Sequence, residues 1–166
     1  METLTDPTAL MNRLVDVARQ TDKITAIDQA DDGAWALQFS DKTVVLMEWA
    51  ISPDRIVLSA ALGAPPSERA EELFGVALSF STLWRDSYGA RLGLGGEGGE
   101  LLLIRDLHSD TAGGWDLLPV LEHFAYVAGW WQKVISQPTY RHSPSEPAEQ
   151  RGEAGEYARL TSLTGN

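Results

Sequence analysis

The chain has 166 residues, 43% of them hydrophobic, no Cys and a formal net charge of −11. That length suits one domain with a sizeable core. The charge argues against nucleic acid and anionic membrane surfaces, which want clustered Lys and Arg, and the lack of Cys excludes disulfides and thiolate metal sites.

The N-terminus, Met1 to Asp6, has neither the basic flank nor the apolar run of a signal peptide. No apolar stretch approaches the roughly 20 residues of a membrane helix. The sequence therefore reads as a soluble, cytoplasmic protein without membrane insertion. Asp6-Pro7 opens a first helix, as N-cap and first helical residue. Leu10, Leu14 and Val17, flanked by Met11, Val15 and Ala18, recur at helical spacing toward Gln20. Residues 23–28 are β-prone but short, and their pattern leaves open whether they join a sheet. Asp31-Asp32-Gly33 is a turn signal.

Three strands are then expected, at 34–39, 43–49 and 55–62, joined by turns at 40–42 and 52–54. Short links argue for an antiparallel meander. Gly63 to Ser67 breaks the sheet and opens a helix with Glu68, Glu71 and Glu72 in its first turns, where the helix dipole favours them. Leu73, Ala77, Phe80 and Trp84 form one stripe on that helix, widened by Val76 and Leu83. Phe74, Leu78 and Ser81 form a second. A helix apolar over so much of its surface is expected to bury more than one side, one against the sheet and one against a second subunit.

Residues 90–94 and 100–104 read as a hairpin around a glycine-rich turn. Leu117, Leu121, Phe124, Ala128, Trp131 and Ile135 then recur in a final helix of about twenty residues, with Asp116 as cap and Pro119 in the first turn. Apolar content falls after Gln137. The expected organisation is an α+β domain over 1–137, with helices packed on a twisted antiparallel sheet, and a flexible acidic tail over 138–166.

Nothing in this pattern carries catalysis. Gly93-Leu94-Gly95-Gly96-Glu97-Gly98 has the spacing G-x-G-x-x-G, but a dinucleotide loop must enter a helix and this one enters the strand Glu100 to Ile104. It reads as a hairpin turn. Asp106, His108, Asp110, Asp116, Glu122 and His123 are metal-ligand types without convergent spacing, and read as a solvated loop and a helix flank. No Ser sits in a nucleophile elbow. Arg13, Arg19 and Lys23, interrupted by Asp16 and Asp22, read as a solvated face. No catalytic, cofactor or metal residues are expected. Of six Trp residues most should be core, but Trp130 and Trp131 are adjacent on a helix, so one should reach a surface or an interface.

The order helix, three strands, helix, two strands, helix resembles the class I type III secretion chaperones, the Tir-chaperone-like family. The resemblance covers about residues 7–136. Its most telling stretches are Arg69 to Trp84 (RAEELFGVALSFSTLW), Ala90 to Gly95 (ARLGLG) and Glu100 to Ile104 (ELLLI). It implies a homodimer whose interface uses the second helix, here Leu73, Val76, Ala77, Phe80 and Trp84. It implies that a secreted effector's N-terminal segment binds in apolar grooves walled by the first helix, here Leu10, Met11, Leu14 and Val17. It implies no ATP hydrolysis by the chain and no cofactor, with the secretion ATPase a candidate further partner. A regulatory protein that sequesters a secretion regulator on the same scaffold is an alternative reading. A small enzyme or metal-binding protein is another.

Overall fold

The computed structural model describes residues 6–51, 55–83, 85–95, 98–108 and 117–137. The elements run α1 (Pro7–Ala18), β1 (Ile24–Asp31), β2 (Ala34–Phe39), β3 (Val44–Ala50), β4 (Arg55–Gly63), a 3-10 turn (Ser67–Arg69), α2 (Ala70–Thr82), β5 (Arg91–Gly95), β6 (Glu100–His108) and α3 (Leu117–Ser136). The strands form one sheet of order β1-β2-β3-β4-β6-β5, with every pairing antiparallel. The α+β class read from the sequence is what folds, with one addition. Residues 24–31 are a full strand, so four strands rather than three precede α2. The expected tail lies outside the described residues.

Local chemistry explains the element boundaries. Asp6 caps α1 by accepting from the Ala9 amide at 2.9 Å, and Pro7 follows in the first turn. Gly33 turns β1 into β2 at φ +79, a left-handed conformation that costs glycine little. The glycine-rich run does turn β5 into β6, paired from Arg91↔Ile104 to Gly95↔Glu100.

The core lies between one sheet face and the helices. Alternate residues of each strand point to it: Trp35, Leu37 and Phe39; Val45 and Met47; Ile56, Leu58 and Ala60; Leu101, Leu103 and Leu107. From the helices come Leu10, Leu14, Val17, Leu73 and Ala77, and the six periodic residues of α3, all buried. Each such large apolar side chain contributes about 1.5–3 kcal/mol by leaving water. Gly129 lets α3 close on the β2–β3 turn, because a Cβ there would stand 3.1 Å from Thr43 Oγ1 and 3.2 Å from Asp41 Oδ2.

Arg69 locks α2 to α3. Its Nη1 donates to the carbonyls of Val134 (3.2 Å) and Gln137 (3.0 Å), which α3 leaves unsatisfied at its C-terminus, while Nε reaches Glu72 at 3.4 Å. The side chain is only 13% exposed. Arg69→Ala should cost about 2 kcal/mol, since a charged donor and two carbonyl bonds are lost. Arg69→Lys should recover only part of it, because one ammonium cannot reproduce the guanidinium fork. Urea unfolding of the two variants measures both effects.

Candidate protein-binding site

The residues expected to wall a groove on α1 lie mostly inside the molecule. Leu10, Leu14 and Val17 are fully buried against the sheet, and only Met11 reaches the margin, half-buried. On α2, Leu73 and Ala77 are core residues of the same chain. Phe80 is half-buried and meets Trp131 edge-on, with ring centroids 5.5 Å apart. Val76 is 46% exposed. Trp84 lies outside the described residues.

Much of the exposed apolar surface falls on the flanks of the stripes read on α2 rather than on their centre. On α2 Val76 and Leu83, seven residues apart and so on one side of the helix, are exposed, Leu78 is exposed on the opposite flank, and Leu94 of β5 and Tyr88 also stand in solvent. Ser81 holds the α2–β5 corner together: its Oγ donates to the Leu92 carbonyl at 3.3 Å and accepts from the Leu92 amide at 2.9 Å. On α3, Trp131 is buried and its neighbour Trp130 is 42% exposed, so the surface member of the pair is Trp130. A groove of about 500 Å³ opens at the end of α3, between Asp41 and Thr43, the end of β4 at Ala61 to Gly63, and Gly129, Gln132, Lys133 and Ser136. Gln132 Nε2 donates to the Ala61 carbonyl at its rim, at 2.8 Å. Exposure of this kind follows from tertiary placement, which helical spacing alone does not contain.

Several polar side chains are committed to structure. Asp106 bridges two arginines on the outer sheet face, accepting from Arg55 Nε at 3.3 Å and Arg91 Nη1 at 2.7 Å. Glu122 accepts from Lys23 Nζ at 2.9 Å and Thr21 Oγ1 at 3.2 Å, tying the start of β1 to α3. The Lys23 hydrogen bond holds the Glu122 carboxyl below its ordinary range. Arg19 pairs with Asp16 at 3.5 Å. His123 sits on α3 and His108 ends β6, while Asp110 and Asp116 lie outside the described residues. Among the described residues, no group of three His, Asp or Glu could hold a metal ion. No described helix is long and apolar enough to cross a membrane.

A family profile, the Tir chaperone protein (CesT) family, matches residues 17–132. The chain belongs to this family. The resemblance to type III secretion chaperones drawn from element order is thereby confirmed. Among solved structures, a chain of the crystal structure of the ExsC-ExsE complex is similar at 17% identity and TM-score 0.59, over 79% of this chain and 97% of that one. A chain of the HopA1-SchA chaperone-effector complex is similar at 15% identity and TM-score 0.55, over 76% and 91%. A chain of the heterodimeric ExoU-SpcU complex, from the type III secretion system of Pseudomonas aeruginosa, is similar at 14% identity and TM-score 0.51, over 72% and 94%. At these identities the structures speak for a shared fold. A search of curated protein sequences gives no match.

Arg105 and His123 supply a pH dependence within this fold. Arg105 is buried on the helix-facing side of β6, and burial pushes its guanidinium below its ordinary value. His123 packs edge-on against Tyr88, centroids 5.0 Å apart. Burial first, and the Arg105 charge second, push the His123 imidazole down as well. The unfolded chain therefore takes up the imidazole proton more readily than the folded one, so stability falls as pH drops through about 6.5. Unfolding between about pH 7.5 and about pH 5.5 should show that loss, and His123→Phe should flatten this part of the profile.

Proposed function

We propose that this protein is a bacterial cytosolic chaperone that holds the N-terminal segment of a type III secreted effector, as a homodimer and without hydrolysing ATP. The observation that carries the reading is the family match over residues 17–132, on a chain that combines exposed apolar surface with a net charge of −11. Charge keeps such a surface soluble without filling it.

In this reading the dimer forms at the α2–β5 corner. Val76 is the solvent-facing member of the expected interface set, Leu83 extends it on the same side of the helix, and exposed Leu78 and Leu94 flank it. Leu73 and Ala77 support the helix from within, and Phe80 braces it on Trp131. The effector segment stays extended, adds to a free sheet edge and lays apolar anchors beside α1, where Met11 offers surface above Leu10, Leu14 and Val17. Holding it extended delays its folding and aggregation. Release falls to the ATPase of the secretion machinery, a further partner.

Two measurements check this. Sedimentation should give a mass near twice that of one chain, and Val76→Asp combined with Leu78→Asp should halve it while leaving the helical signal intact. Both side chains are exposed in the single chain, so their replacement spares the core. An unchanged mass places the interface elsewhere. Affinity purification of the tagged protein from its own bacterium should recover a secreted protein, held through its N-terminal segment. Recovery of a retained cytosolic regulator instead would favour the sequestering role.

A further inference from the structure

The sheet has a face that none of the described helices covers. In the register of the pairing, Leu46, Ser59 and Ile104 stand opposite one another, as do Ala61 and Leu102, and Val57 with Asp106. All point away from the core. Val44 and Leu46 on this face are 43% and 42% exposed, and Val57, Leu102 and Ile104 are half-buried. An antiparallel sheet with one wet face alternates apolar and polar residues. β3 instead reads Val44-Val45-Leu46-Met47 and β6 reads Leu101-Leu102-Leu103-Ile104. Continuous runs of this kind belong to strands covered on both sides.

The patch has the dimensions of one helix. Three neighbouring strands, β3, β4 and β6, span two gaps of roughly 4.8 Å, or about 10 Å. That is the diameter of an α-helix with its side chains, about 10–12 Å. Its border carries unbalanced charge. Asp28 and Asp31 of β1 and Glu48 of β3 are exposed on this side, and among the described residues none of the three has an ion-pair partner. At the other border Asp106 already engages Arg55 and Arg91.

We propose that this outer face, centred on Leu46 and Ile104, docks an amphipathic helical segment of a partner polypeptide whose apolar stripe is flanked by Lys or Arg on the β1 side. The inference deepens the chaperone reading and rests on it. A second copy of the chain fits the face less well, because it brings the same unpaired carboxylates and a charge of −11. The chain's own segment after Gln137 is no better matched, with Glu146, Glu149, Glu153 and Glu156 against Arg141, Arg151 and Arg159.

The test uses the full chain and a synthetic leucine–lysine amphipathic peptide of about four helical turns, with a leucine–glutamate peptide of the same spacing as control. The leucine–lysine peptide should bind the wild type, and Val44→Ser with Leu46→Ser should weaken it about tenfold, through lost apolar contact at two positions. Asp28→Lys with Glu48→Lys should shift the preference toward the leucine–glutamate peptide. A photo-cross-linking side chain at position 46 should join the leucine–lysine peptide, and one at position 126, on solvent-exposed Tyr126 of α3, should not. Unchanged affinity of the serine variant, or a cross-link from position 46 to a second copy or to residues 138–166, overturns the proposal. Those results leave the chaperone reading standing, since that is decided separately by the partner recovered from the bacterium.

Discussion

The packing of α3 across the sheet is the constraint on which the rest of the molecule depends. Leu117, Leu121, Phe124, Ala128, Trp131 and Ile135 commit one helical stripe to the sheet. Gly129 sets how closely the helix approaches, and Trp131 gives α2 its inner contact through Phe80. Arg69 then fixes the end of α3 to the start of α2. With α1, α2 and α3 all joined to one core cluster on one sheet face, the other face has no described element to bury against. The asymmetry is a direct result of chain order: the links around β2, β3 and β4 are too short to carry a helix to the far side.

Charge makes that asymmetry tolerable. A chain with exposed Val44, Leu46, Leu78 and Leu94 would associate indiscriminately if it were neutral. A net charge of −11 raises the cost of every contact between identical copies and lowers it for basic partners. The strands at the margin are guarded locally as well. β1 carries Asp28 and Asp31 and two register irregularities, between Ile24 and Ala26 and between Gln29 and Asp31, which interrupt its free edge. β5 has no register shift and one charge, Arg91, which is engaged by Asp106. The two edges are thus chemically different, one selective by charge and one open to apolar association.

The sequence revealed most where a pattern had one physical interpretation. The six-residue stripe of α3 could only be a buried face, and it is. The glycine run ahead of Glu100 to Ile104 could not start a helix, and it turns a hairpin. β1 was harder because Ile24-Thr25-Ala26-Ile27-Asp28-Gln29 has no clean alternation, a consequence of the bulge that shifts its register. The double stripe of α2 was ambiguous in a deeper sense. Leu73 and Ala77 look the same in sequence whether they meet their own sheet or a second subunit, and only the packing of α2 beside β5 and α3 assigns them to the chain's own core. The outer sheet face shows the opposite case. Its signal was present in the unbroken apolar runs of β3 and β6, and it acquires meaning only once the helices are seen to lie on one side.

Sheet order keeps the two apolar regions from competing. β5 and β1 are the outermost strands of the six, separated by five strand gaps of roughly 4.8 Å, or about 24 Å. An association at the α2–β5 corner leaves β1 and its carboxylates in solvent, and leaves the centre of the outer face two strands away from the contact. A dimer built there would present two outer faces and two acidic margins at its far ends, so one partner chain could touch both with an extended stretch between them. Affinity would then come from linking two modest contacts, because the second becomes intramolecular once the first has formed. Binding of this kind combines a firm hold with the capacity to let go one contact at a time.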